Sequence, residues 1–407
     1  MWLLLTLTAT LSAPIVTTVE SISSADPVVF AFGGGDYEGW EQWDWDTITH
    51  LGFWTKPDDD VKSIARQHNV KLFHHCSTGD DPKNWKDSDK RKELTASCLD
   101  DVQSHAWDGV FFDYEGNGLS SSEQDGYVKF AQETTAALQQ YNATLMVCVG
   151  GRPSYELRNY DYTGLAAASD FLFIMGYDLH LYDDYTCEAT SEGNVCSPAE
   201  ASIRSLTAGV EEYLKAGVDA AKLVLGLPWY GQRYTQVVAP INEGQVTYAD
   251  VVKAFDQGRV KETSHDKDSL SKIIKCDGDC VHDKSGSKVW YDDAETLGPK
   301  FGLAGQYDLR GVGIWEVTNL PTEDEHSDLR EAMWAAVKEW SHVKAASPNA
   351  SALYDFGGHY RKAGGLMGST CTGPGESCCE APGDDVDNCP SSARTSDCDA
   401  KKACCCG

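Results

Sequence analysis

The sequence predicts an α/β fold: a (β/α)8, or TIM, barrel with a small inserted subdomain between its seventh and eighth strands and a cysteine-rich C-terminal module. Three observations predict it. Short apolar, β-rich runs recur between residues 28 and 317. Amphipathic stretches separate them, which implies parallel strands joined by helical crossovers. Acidic and aromatic residues gather at the C-terminal ends of several runs, where a barrel opens its active site.

Taken in order, the chain begins MWLLLTLTATLSAP, a short apolar core followed by small residues. That pattern is expected to be a secretory signal within residues 1–25, with Ala13 and Ala25 as alternative cleavage points. The barrel is expected over 26–345. Its strands are VVFAFG (28–33), THLGFWT (49–55), VKLFHHC (70–76), GVFFDYE (109–115), TLMVCVGG (144–151), FLFIMGYD (171–178), LVLGLPWYG (223–231) and GVGIWEV (311–317). Helical patterns lie at 121–141, 197–217 and 324–340. A doubly wound open sheet would show the same alternation. However, the glycines at 33–35 lack the G-x-G-x-x-G spacing, so no dinucleotide is expected.

One connection is much longer than a barrel needs. Residues 232–300 carry a helical TYADVVKAF (247–255) and a strand-like SKVWYDD (287–293), read as a subdomain over the barrel mouth. Residues 346–367 form a Gly, Ser and Ala-rich linker, and 368–407 form the cysteine-rich module.

Composition narrows the partners. Against 34 basic residues stand 63 acidic ones, a net charge of −29, which argues against nucleic acid or an anionic membrane surface. The N-terminal apolar run is too short to span a bilayer, and no other segment is long and apolar enough to do so. Of 15 cysteines, eight lie between Cys371 and Cys406. In a chain with a secretory signal that density reads as disulfides; in a reducing cytosol it would read as a metal cluster. The sequons at Asn142 and Asn349 fit the same route, to the extracellular space or a lysosome or vacuole. A monomer without metal or other cofactor is expected.

The segment Trp107–Asn117, WDGVFFDYEGN, carries the chemistry. Extended as a strand, it points Gly109, Phe111, Asp113 and Glu115 to one face. Two carboxylates sharing a partly buried site raise one another's pKa, so Glu115 can stay protonated and act as a general acid. The sixth strand ends in Met175, Tyr177 and Asp178, the seventh in Trp229 and Tyr230, and the eighth carries Trp315. Aromatic planes beside carboxylates suit sugar rings, which offer an apolar C–H face.

These residues also carry a resemblance. Asp108-Gly-Val-Phe-Phe-Asp113-Tyr-Glu115 resembles the D-G-x-D-x-D-x-E signature of the family-18 glycoside hydrolases, and the M-x-Y-D run and the late Trp315 match as well. The likeness covers residues 28–343. It implies hydrolysis of N-acetylglucosamine oligosaccharides assisted by the substrate's own acetamido group, outside the usual two-carboxylate scheme. Glu115 is then the acid and Asp113 the acceptor of the acetamido N–H. Tyr177 would donate to the acetyl oxygen, and Trp315 would floor the sugar, with Asp178, Tyr230 and Met175 around it.

The departure is Phe111, where the family's chitinases have an aspartate. A phenyl cannot share a proton, so a sugar-binding lectin without catalysis is the alternative outcome.

Elsewhere, His74 and His75 point to opposite faces of their strand, one being an inward, hydrogen-bonded residue. The acids at 58–60 read as a helix N-terminal cluster and not a calcium site. Cys187 with Cys196, Cys276 with Cys280, and Cys76 with Cys98 are the expected barrel pairings, leaving Cys148 as a buried free thiol.

Overall fold

In the computed structural model the described residues are 27–346, apart from 36, 80, 155–157, 180–186, 191–192, 197–198, 236–241, 277–279 and 281–286. Beyond 346 they are four two-residue strands, Tyr354–Asp355, His359–Tyr360, Glu376–Ser377 and Cys405–Cys406. The signal region and nearly all of the cysteine-rich module lie outside them. The chain divides into two compact units, Met1–Ser351 and Ala352–Gly407.

Eight parallel strands close on themselves. They are β1 (Val28–Phe32), β2 (His50–Phe53), β3 (Lys71–His75), β4 (Gly109–Phe112), β5 (Thr144–Gly150), β6 (Phe171–Met175), β9 (Leu223–Pro228) and β15 (Gly311–Trp315). Because β1 pairs with both β2 and β15, the sheet has no edge and the doubly wound alternative falls. The crossover helices are α1 (Asp59–Gln67), α2 (Ser88–His105), α3 (Ser121–Leu138), α4 (Tyr162–Ala168), α5 (Ile203–Lys215), α7 (Ala294–Gln306) and α8 (Ser327–Ala346). Between β6 and α5 lies a small hairpin, β7 (Cys187–Thr190) and β8 (Gly193–Cys196), whose register sets Cys187 opposite Cys196.

The acids at 58–60 begin α1 as expected, with Asp58 at its N-cap and Asp59 and Asp60 in the first turn. Two disulfides form as expected, Cys76–Cys98 and Cys276–Cys280, and Cys148 is free and buried.

The long connection is an antiparallel sheet in the order β11 (Asn242–Thr247), β10 (Tyr230–Thr235), β14 (Ser287–Tyr291), β13 (Ser271–Cys276), β12 (Val260–Asp266), with helix α6 (Tyr248–Asp256). It starts at Tyr230, directly after β9. Helix α7, whose start fell inside the expected insert, packs instead on α8, β9 and β15 of the barrel.

Alternate residues of the barrel strands fill its interior. Phe30, Phe73, Phe171 and Phe173 pack edge to face or tilted, with centroid separations of 5.5–6.3 Å. Glycines make room for them. A β-carbon on Gly109 would lie 2.4 Å from the Phe73 ring, and one on Gly313 would lie 2.2 Å from the Phe173 ring. His50 joins this layer, and burial pushes its imidazole down to about 3, so it fills space as a neutral ring. Above this layer the interior changes character.

Candidate active site

The acid pair does not sit on a strand. β4 ends at Phe112, so Asp113 and Glu115 lie on the loop that follows, and the expected strand over 109–115 is too long. The cause is that β3 pairs with β4 only as far as Phe111 and β5 only as far as Phe112. Beyond that point no ladder holds the alternation. Asp113 still enters the barrel, but Glu115 has a side chain 55% exposed and pairs with Arg158, Nη2 to Oε2 at 2.7 Å.

The loop is anchored at its far end. Ser120 and Glu123 form a capping box at the start of α3, with Ser120 N donating to Glu123 Oε2 at 2.9 Å. The S-x-x-E spacing in the sequence encodes that stop.

Phe111 is fully buried beneath Asp113. Its ring meets Trp54 at 4.8 Å, Phe32 at 5.3 Å and His75 at 5.4 Å. The polar partner of Asp113 comes instead from the neighbouring strand. Phe111 stands level with Met146 and Phe112 with Val147, and the same stagger continued brings Asp113 level with Cys148. The Cys148 thiol thereby faces the Asp113 carboxyl and favours its ionised form. Oδ1 of Asp113 is buried with no hydrogen-bond partner among the described residues.

The electrostatics follow from that placement. Burial first, and then the charge of Glu115, raise the Asp113 carboxyl to about 7, against the opposing pull of Arg158 and the Cys148 thiol. The sequence led to the expectation that Glu115 would be the raised acid. The structure shows a raised pKa on Asp113, which lies over an apolar floor.

Other strand ends complete the wall. Burial holds the Tyr177 phenol well above its usual range, so it remains a hydrogen-bond donor at any working pH. Its ring stacks on Trp315 with centroids 5.9 Å apart at 25°. Trp315 ends β15, precedes a cis peptide to Glu316, and meets Phe32 at 5.2 Å and Trp54 at 5.1 Å. Met175 is buried in the same interior cluster. Tyr230 donates from its hydroxyl to Asp178 Oδ1 at 2.9 Å. The Asp178 amide, in the left-handed region at φ 54°, donates to the buried Glu200 carboxylate.

The seven residues given roles by the resemblance therefore lie at or just below one end of the barrel, while Trp229 packs against Trp334 of α8. Several others there escaped notice. Cys148 read as a buried free thiol, and Arg158 was not singled out. Trp54 ends the β2 run, and the same strand-end rule would have found it. Gln245, on β11 of the insert, donates to Asp178 Oδ1 at 3.3 Å, a contact between distant segments that no local pattern announces. Of the two histidines, His75 faces inward, with burial lowering it to about 4. His74 faces out and bonds Asp101 and the Trp54 carbonyl.

Comparison with known proteins places this site in context. The model of the family described as Glycosyl hydrolases family 18 matches residues 17–319. Di-N-acetylchitobiase of Mus musculus is 28% identical over 339 residues, 76% of this chain and 87% of that protein. A family-18 chitinase from Cycas revoluta, solved in complex with (GlcNAc)3, superposes with a TM-score of 0.60 at 19% identity, over 76% of this chain and 99% of its own. The chitinase-like agglutinin RobpsCRA from Robinia pseudoacacia superposes at 0.58, also 19% identical, over 77% and 98%.

Proposed function

The chain belongs to family 18 of the glycosyl hydrolases and is a glycosidase; from that premise we propose that it cleaves β-1,4-linked N-acetylglucosamine oligosaccharides with retention, using the substrate's acetamido group as nucleophile. One observation carries this reading. Asp113 offers a buried oxygen, Oδ1, with no donor among the described residues, at the barrel end that carries Tyr177 and Trp315. Buried acceptors are rarely left unpaired without a purpose, and an acetamido N–H is a donor of the right kind. A nucleophilic carboxylate would instead have to present an ionised oxygen to the anomeric carbon. Asp113 is raised to about 7 and prefers to hold a proton below that.

The steps balance without an enzyme nucleophile. Protonated Glu115 gives its proton to the glycosidic oxygen, and the bond from that oxygen to C1 breaks. The acetamido carbonyl oxygen forms a new bond to C1, giving an oxazolinium ion whose charge Asp113 offsets as it accepts the N–H. Tyr177 donates to the acetyl oxygen and orients it. Water, deprotonated by Glu115, then attacks C1, the bond from C1 to the acetamido oxygen breaks to regenerate the acetamido group, and the original configuration is restored. With Asp113 as the raised acid, the proton used by Glu115 is the one the pair shares, so the two act as a unit. Trp315 floors the cleaved sugar, and Asp178 with Tyr230 and Gln245 binds its hydroxyls. The relation to di-N-acetylchitobiase supports short chitobiose-containing substrates. The Cys76–Cys98 and Cys276–Cys280 bridges support a secretory, oxidising destination.

A second reading has one observation in its favour. The fully buried Phe111 leaves Asp113 without a proton-sharing group beneath it, which would suit a lectin that binds the same sugars. A single comparison separates the readings. Chito-oligosaccharides are expected to be cleaved and the corresponding gluco-oligosaccharides left intact. Equal cleavage of both would sink the acetamido mechanism, and tight binding of chito-oligosaccharides with no cleavage from pH 4 to 8 would establish the lectin.

A further inference from the structure

The segment after β5 is tied down on both sides of Arg158. Upstream, Arg152 Nη2 meets Glu212 Oε1 of α5 at 2.8 Å, and Ser154 N donates to Glu212 Oε2 at 2.9 Å. Downstream, Asn159 Nδ2 donates to the Leu119 carbonyl at 3.1 Å. Gln124 donates to the Asn159 carbonyl, and the Tyr160 hydroxyl to the Tyr114 carbonyl. The bonds to Leu119 and Tyr114 join the post-β5 segment to the loop that carries Glu115. Between the ties Arg158 reaches Glu115 with a side chain only 11% exposed.

An ion pair between two mobile surface side chains contributes little. Here the cation is buried and its backbone neighbours are bonded to its partner's own loop, so the fold imposes the geometry. We propose that Arg158 is a positioning residue for the acid pair, holding the Glu115 carboxylate in place and setting, by its charge, the pH range in which the site works. As far as turnover is concerned, this rests on the hydrolase reading above.

Among the described residues other groups surround the pair. Cys148 comes from β5, Tyr177 from the end of β6 and Tyr127 from α3, with Asp178 and Tyr230 beside Tyr177. His75 of β3 lies beyond Phe111. The phenols and the thiol are raised, the imidazole is lowered, and Asp178 is an acid. Among these, Arg158 supplies the positive charge.

Arg158→Gln keeps hydrogen bonding and removes that charge. Both limbs of the kcat/KM profile on a soluble chito-oligosaccharide are expected to move to higher pH by about one unit, the low end for a nearby opposite charge, since Glu115 is half exposed. Arg158→Lys retains the charge and is expected to keep the limbs close to wild type. A lower but unmoved profile in Arg158→Gln would overturn the proposal, as would an equal displacement in Arg158→Lys. Should Arg158→Gln fail to fold, Arg158→Met preserves the apolar stem without charge and carries the same expectations.

A second readout needs no turnover. Carbon-13 carboxyl shifts, assigned with Asp113→Asn and Glu115→Gln, follow the pair's titration directly. An upward move in Arg158→Gln supports the proposal even if wild type cleaves nothing, which would sink the hydrolase reading alone. An unmoved carboxyl titration refutes it in either case.

Discussion

Below the level of Phe111 the barrel interior holds phenyl rings and glycines; above it the same strands lead into Asp113, Cys148 and Tyr177. On β4 and its continuation the change takes two residues, from Phe111 to Asp113, and on β5 it runs from Met146 to Cys148. Because strand side chains alternate, consecutive inward positions can serve opposite purposes. The lower half excludes water by packing. That exclusion is what raises Asp113 in the upper half, since burial is the leading cause of its shift. The two halves differ in composition but are joined by electrostatics: the apolar floor sets the protonation of the acid standing on it.

The largest test of this division is Glu115→Gln, which keeps shape and removes the transferable proton. General acid catalysis supplies on the order of 10²–10⁴ in rate. Hydrolysis is expected to fall by at least that range, with chito-oligosaccharide binding and thermal stability nearly unchanged. A parallel loss of stability would show that the upper half also holds the fold together.

Gly313→Ala probes the lower half. Its β-carbon would meet the Phe173 ring at 2.2 Å and the Phe30 carbonyl oxygen at 3.0 Å, where neither neighbour moves freely. Overpacking of this kind costs about 1–3 kcal/mol, read in denaturant unfolding. Activity per folded molecule is expected to stay near wild type. A large fall in kcat for the folded variant would mean that the phenyl layer positions the acids as well as drying them.

The smallest effect is expected at the seam. Cys148→Val keeps the position apolar and removes the thiol that lowers Asp113. Asp113 then titrates higher, and the activity profile moves alkaline by a few tenths of a unit, less than for Arg158→Gln. Cys148→Ser, which retains a donor, is expected to reverse the displacement. An acid shift in Cys148→Val would show that the thiol does not stabilise the carboxylate.

Much of this was legible in the chain as written. Every barrel strand falls within its apolar run, because burial on both faces demands continuous hydrophobicity regardless of context. The S-x-x-E cap of α3 and the acids opening α1 are equally local. What misled was the tail of GVFFDYE. Alternation aligned Asp113 with Glu115, yet it operates only while neighbouring strands supply a ladder, and that ladder stops at Phe112. In the same way the residues missed were those whose importance depends on a partner distant in sequence: Cys148 on Asp113, Arg158 on Glu115, and Gln245 on Asp178.

By itself, then, the sequence determined the barrel, the end of it that carries chemistry, and the residue types gathered there. These depend on periodicity and local hydrogen bonding, which a single segment contains. The tertiary structure alone decided that Asp113 is the buried carboxyl with the raised pKa and what supports each acid. Those are properties of burial and of distances between segments, and both exist only after β4, β5 and the loops beyond them have been brought together.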